Sequence, residues 1–555
     1  MQMKSKCAKS RWMALAGIGI AVQAAFGVEF KKVGGDISSE ADWGSSYSSF
    51  SSSSYIDFIN SGTYYASDDV GCRLFRVKNA NDVVIDASAN NPTITINQQT
   101  GDQSFILLPK DNSSITFKGG LWNAGGGTTA YLRCCSAVNT GEAATNRSVA
   151  IVGGAVVTNV ANVYCAGGNN SASSAHLAYN SFNNLVVSGA GTRLYADNIF
   201  CSYSYEDGSV QTNNAVTISD GAVVTVASAC YTDSKLAAVG QGKLSGNIIC
   251  VSNATLKLLS NGARPLLVGS TPGSSGNRFV LSGSSALLDV NPVAEFDFFV
   301  GSDIATTGNE VLIENGATFL KSDTSFALFK YSHGNTLRVS GGARFGLADT
   351  SVANFITIGR WEACSSNNTV IVEDGGSLEA NYIRVTCREN ALVVSNATVT
   401  CAGDGAPNEN NACTIGYYHA TSSPANGVTG NKLVMRGSTP ALRAPNGRVM
   451  FRYFSHCDFE VPTEGYAAGH VPIVAKSFEI KTGCSLSAKL DGYRDHGKSA
   501  TYTLVETTDG VTLGDGVLDA ANAELGELGR FSLSNEGKNL LLHAKGQSGI
   551  TVIFQ

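Results

Sequence analysis

The chain has 555 residues, of which 43% are hydrophobic and only 15% charged, with 61 Gly, 11 Pro and 14 Cys. So low a charged fraction argues against a helix-rich cytosolic enzyme or a coiled coil, and the ordinary apolar fraction argues against global disorder. Lys+Arg 39 against Asp+Glu 45 gives a net charge of −6 with no basic cluster, which argues against nucleic acid as a partner.

Residues 1–11 carry Lys4, Lys6, Lys9 and Arg11 and no acid. The apolar run Trp12–Val22 follows, then the small residues of Val22-Gln23-Ala24 and Ala25-Phe26-Gly27. That order is the order of a secretory signal peptide, so residues 1–27 are assigned to one, with cleavage near Ala24 or Gly27. The run is too short to cross ~30 Å of hydrocarbon as a helix, and no later run reaches ~18 apolar residues. No Cys follows it to take a lipid. Residues 28–80 then form an N-terminal leader or cap, Ser-rich at Ser45–Ser54 and preceded by Trp43.

From 81 to 460 one unit recurs: Asn, alternating apolar residues, a Gly/Asn/Asp turn, a small residue, and apolar alternation again. It reads NNLVVSGAGTRL from Asn183, AVTISDGAVVTV from Ala215, IICVSNATLKLL from Ile248 and EVLIENGATFL from Glu310. It continues as NTLRVSGGARFGL from Asn335, NTVIVEDGGSLEA from Asn368, NALVVSNATVTC from Asn390 and NKLVMRGSTPAL from Asn431. Its central aliphatic anchors are Ile151, Val187, Ile218, Val251, Leu281, Ile313, Val339, Val372, Val394 and Met435. A period near ~30 residues with loose length control is the signature of a solenoid.

A third strand lies between successive pairs, as in RPLLVGS from Arg264, FALFKYS from Phe326, NFITIGRW from Asn354 and ACTIGYY from Ala412, each followed by a polar loop. Period-two alternation marks strands, and Gly or Asn supplies the left-handed turn positions. Three short strands per turn predict an all-β, right-handed single-stranded parallel β-helix, with coils ~4.8 Å apart and inward aliphatic ladders. A string of β-sandwiches would need non-local Greek-key pairing that a self-similar unit does not predict. Cys134, Cys165, Cys201 and Cys230 recur about once per coil in apolar contexts. At ~4.8 Å an adjacent-coil disulfide or a ladder of buried thiols would both fit, and buried thiols are the expectation.

After Val461 the pattern changes, and residues 461–555 are assigned to a β-rich C-terminal cap whose last hairpin is Phe531–His543 with its tip at Asn535–Lys538. The N-x-h-x-h-x-x-G-A-x-h units, with the closing segments from Tyr502, Gly529 and Leu540, resemble the passenger regions of bacterial autotransporter-type surface proteins over roughly residues 80–545. The resemblance implies an exported β-helical surface protein. Such proteins usually end in a membrane barrel, and the final apolar strand, GITVIFQ, is not one.

Chemistry-bearing motifs are few. Gly492–Ser499 satisfies the P-loop expression, but a strand pattern follows where the phosphate cradle needs a helix, so it is read as chance. Asp404–Asn411 is acidic without calcium-loop spacing, and no cysteine–histidine spacing suits zinc. No metal or cofactor is expected. Glycoside hydrolysis needs two carboxylates flanking one bond, and no acidic pair lies in the repeat strands.

Trp361, Glu362, Tyr417, Tyr418, His419, Arg452 and Tyr453 each follow the same type of strand, so they would fall on one face and could stack on and hydrogen-bond a sugar. The expectation is therefore a secreted or surface-exposed bacterial protein with a structural or adhesive role. It would meet extracellular polysaccharide or other surface proteins through its loops. The alternative is a lyase or glycoside hydrolase on a pectate-lyase-like β-helix.

Overall fold

The computed structural model describes residues 27–43, 55–97, 106–108, 111–125, 130–134, 142–167, 177–204, 209–235, 243–260, 266–290, 296–298, 306–321, 326–330, 332–347, 355–360, 365–404, 411–417, 428–490, 499–526 and 530–545. The signal segment other than Gly27, the serine run at 45–54, the P-loop match other than Ser499 and the turn 405–410 lie outside the described residues.

The fold is an all-β solenoid of stacked parallel strands. Its first face runs from Gly62–Tyr65 to Ser485–Lys489, each strand hydrogen-bonded in parallel to the equivalent strand one coil on. Strands here bury alternate residues, as in Ser148–Val152, Asn184–Ser188 and Ala215–Ser219, so one side faces the core and the other water. The ten predicted anchors stand in one unbroken column: Ile151 faces Val187, then Ile218, Val251, Leu281, Ile313, Val339, Val372, Val394 and Met435.

From Ser114–Lys118 to Lys432–Arg436 the first-face strands end in tight turns with left-handed residues, such as Asp220 (φ 55°) and Gly221 (φ 82°). The chain then enters a second face and bends onto a third. Long strands such as Val156–Gly167, Arg193–Ser204 and Ala441–Phe451 cross that bend, their first halves pairing on one face and their second halves on the other. The third-face strands read from the sequence lie here, among them Phe326–Lys330, Phe355–Arg360 and Cys413–Tyr417.

Parallel pairing reaches beyond 81–460 on both sides. Gly27–Phe30 pairs with Tyr55–Phe58, and Ile473–Ile480 with Ala500–Leu513. Near the first coils Trp43 packs edge-on against Phe30 at 4.6 Å, and Phe117 packs against Trp122 at 4.4 Å. At the other end Phe531–Asn535 and Asn539–Ala544 form the expected antiparallel hairpin. A helix, Val517–Gly526, turns Val517, Ala521 and Leu525 inward and packs on Ser485–Lys489.

The cysteine column differs in one place from the sequence expectation. Cys134, Cys165 and Cys201 stand in register, but an irregularity after Ala196 places Cys230 opposite Ile199. All four carry free thiols.

Candidate functional site

The corner between the third face and the next first-face strand combines a recurring buried asparagine with connections of differing length. A left-handed residue introduces it, such as Asn213 (φ 56°), Gly276 (φ 65°) or Glu389 (φ 56°), and a fully buried asparagine follows. These asparagines are Asn183, Asn214, Asn247, Asn277, Asn309, Asn335, Asn368, Asn390 and Asn431.

Each amide carbonyl accepts the backbone N–H of the asparagine one coil earlier, for example Asn247 N to Asn277 Oδ1 at 3.0 Å and Asn277 N to Asn309 Oδ1 at 3.0 Å. Each Nδ2 from Asn183 to Asn368 also donates to the next Oδ1. Except at Asn309 it donates as well to a main-chain carbonyl of the preceding coil, as Asn277 does to Leu244 O at 3.1 Å. The ladder leaves little buried amide capacity unused. Below it Arg147 takes the asparagine position: its N–H donates to Asn183 Oδ1, and its buried guanidinium reaches Leu108 O at 2.7 Å and Asp111. Ser455 succeeds Asn431 at the other end.

Loop length varies at this same corner. The chain runs from Gly167 to Asn183 in one coil, from Tyr417 to Asn431 in another, and only from Thr386 to Asn390 between.

Of the seven predicted site residues, Trp361, Glu362, Tyr418 and His419 lie outside the described residues. Tyr417 ends a third-face strand and is half-buried. Arg452 follows the next one, its N–H donating to Ile415 O at 2.9 Å, which sets Arg452 and Tyr453 one coil beyond Gly416 and Tyr417. Those three share one end of the third face, as the strand pattern implies. Tyr453 and Phe454 both adopt left-handed φ, and the Phe454 ring is 63% exposed.

The structure adds residues that sequence reasoning missed. The Arg384 guanidinium lies between two rings, 3.7 Å from the Phe355 centroid and 4.0 Å from that of Tyr417. Burial there holds its pKa below the usual arginine value. Tyr382 packs on Phe355 at 5.2 Å, and its hydroxyl reaches Asp404 Oδ1 at 3.5 Å. Burial, with Asp404 beside it, pushes the Tyr382 hydroxyl up. The available signal was period-two placement: in the register Tyr382 faces Phe355, and Arg384 is two residues on.

Flat rings edged by a carboxylate and guanidinium groups can stack on a sugar and hydrogen-bond its hydroxyls. Elsewhere acids pair across coils: Glu310 lies between Arg278 and Arg338, Glu373 meets Arg338, and Glu460 is held below its usual pKa by Arg436. His333 Nδ1 contacts Ser366 Oγ at 2.6 Å in the same coil-to-coil manner. Among the described residues no three His, Cys, Asp or Glu side chains gather as a metal site.

Comparison with protein-family models, with curated proteins and with solved structures returns no match for this chain.

Proposed function

We propose that this chain is an exported bacterial surface or secreted protein: a right-handed parallel β-helical rod with an adhesive or structural role, touching extracellular polysaccharide or other surface proteins. Right-handedness follows from the strong preference of parallel crossover connections. The Trp43 region and the Val517–Gly526 helix serve as end caps of the rod, since a solenoid must hide its terminal coils.

The observation that carries the reading is the division of labour at one corner. A buried asparagine ladder holds successive coils in register while the segments leading into it differ in length from coil to coil. A rigid axis with freely variable loops along one edge suits contact with an extended partner. The patch of Phe355, Arg384 and Tyr417, with Arg452 one coil beyond, lies on the third face that runs into that edge and is the proposed sugar-contacting surface.

The test is a glycan array and a polysaccharide-depolymerisation screen on the chain from Val28 onward, with and without Ca²⁺. Binding without release of reducing ends or unsaturated sugars is expected, weakened about tenfold or more by Tyr417→Ala together with Arg452→Ala. Turnover would overturn the passive role, and failure to bind any glycan or cell surface would overturn the adhesive one.

A further inference from the structure

The bend between the second and third faces is tight in the coil that contains Ala380 and Ile383, where only Asn381 and Tyr382 separate the two. One coil on, Cys401 stands in register with Ala380 and Cys413 with Ile383, so the same bend must accommodate residues 402–412. The insertion leaves and returns without disturbing the stack. Ala402 N donates to Ala380 O at 2.9 Å, Gly403 N to Asn381 O at 3.0 Å, and Ile383 N to Ala412 O at 2.9 Å. The coil beyond resumes the register, with Cys413 facing Val449. The two cysteines therefore occupy the two sides of a bend that two residues suffice to span below. Both side chains point into the core and are fully buried, and the Cys413 thiol lies close enough to raise the Cys401 pKa.

We propose that Cys401 and Cys413 are a modification site: an intracoil disulfide that closes the base of the 402–412 insertion and thereby fixes Asp404 beside Tyr382. The oxidising compartment in which this would occur rests on the export reading above; the geometry of the pair does not. The column of Cys134, Cys165 and Cys201 is arranged differently, since its members lie on successive coils and the Cys165 thiol already donates to Asn183 O and Ala215 O, each at 3.1 Å.

The oxidant is an external disulfide, small-molecule or protein. One cysteine thiolate attacks it, forming a mixed disulfide and expelling one thiol. The second cysteine attacks the mixed disulfide, forming the Cys401–Cys413 bond and expelling the other. Two cysteine thiols are oxidised, one external disulfide is reduced to two thiols, and the protons balance. The neighbouring Cys413 thiol, together with burial, keeps the Cys401 thiol protonated once the coil has formed, so closure belongs to the forming coil, and the completed bond is sheltered from exchange.

The full chain from Val28 is refolded with glutathione disulfide, denatured, alkylated without reductant, digested and weighed by mass spectrometry. The expected product is a peptide pair joined through Cys401 and Cys413, two hydrogens lighter than the reduced pair and separated by reductant. In a folded Cys401→Ser variant Cys413 becomes alkylatable. Full alkylation of both cysteines in the oxidised parent overturns the proposal, as does joining of Cys413 to Cys457, the buried thiol facing the same core. Closure in vitro, with the pair reduced in chain isolated from its native source, would overturn the export reading and leave the pair assignment standing.

Discussion

Asparagine does two different jobs here, and one substitution series separates them. Asn277 is fully buried: its carbonyl accepts from both Asn247 N and Asn247 Nδ2 at 3.0 Å, and its own Nδ2 donates to Asn309 Oδ1 and Leu244 O. Asn277→Ala strands several buried groups at once, so a loss of about 3 kcal/mol is expected by chemical denaturation. Asn253, by contrast, sits in a first-face turn with φ 48°, and Asn253→Gly should change stability by only about 0.5 kcal/mol. The sequence announces an opening asparagine in each unit, but the partner that explains it lies a whole coil away, and asparagines that serve turns look the same. Buried thiols give a second residue-scale expectation. Burial raises Cys72 and Cys457, and raises Cys230 to about 12. Above the ordinary thiol value of 9.0 the unfolded chain releases these protons while the folded chain retains them. Stability is therefore full below that value and falls as pH rises toward the raised ones. Each thiol removes about 1.4 kcal/mol per pH unit, so denaturant midpoints should drop steeply between about pH 9.5 and 10.5. Cys230→Ala should make that slope shallower, with the other raised thiols, Cys201 and Cys250 among them, supplying the rest.

At the scale of elements, first-face strands were the easiest part to read, because alternation and tight turns are local. The same holds for the hairpin at Phe531–Asn535 and Asn539–Ala544. The bend that lets Val156–Gly167 serve two faces was not legible: Asn159 marks it with φ 60°, but in the sequence it looks like any other turn asparagine, and the register shift between Val157 and Val160 is a property of pairing. The Arg384 stack was missed for a related reason: Phe355, Arg384 and Tyr417 come from three coils, and only the stacking register joins them. The Val517–Gly526 helix also escaped notice, being a short element in a β-rich sequence. Its Leu525 is buried, and Asn522 grips the Leu533 backbone in both directions, donating from Nδ2 to O at 3.0 Å and accepting from N at 2.6 Å. Leu525→Ala should destabilise this end by about 3 kcal/mol, read as faster amide exchange in Ser485–Lys489 and Phe531–Asn535 with the central coils unchanged. Ending the chain at Leu513 should expose the last parallel strands and yield concentration-dependent association in sedimentation, because unpaired edges template further strands.

The whole molecule is quasi-one-dimensional, and that property can be tested without knowing any ligand. Each coil makes its main-chain bonds to the coil before and the coil after, so stability is a sum of coils and neighbour contacts rather than one global core. Asn309, Asn335 and Asn368 are successive rungs, and their first-face strands Glu310–Glu314, Thr336–Val339 and Thr369–Glu373 pair in the same phase. Removing residues 335–367 deletes one complete coil and brings Asn309 into register with Asn368. The inward column then continues from Ile313 to Val372, both aliphatic and of similar volume. Arg338 goes with the deleted coil, so Glu310 and Glu373 lose their shared partner, a small penalty because that ion pair is partly exposed. The shortened chain should fold, keep its β-rich circular dichroism and remain monodisperse. Removing residues 335–351 instead takes half a coil, brings the third-face strand Phe355–Arg360 to a first-face position and faces Asn309 with a strand that has no rung to offer. That variant should aggregate or lose protease resistance from the deletion onward. If both deletions behaved alike, the axial ladder would not be what sets the register.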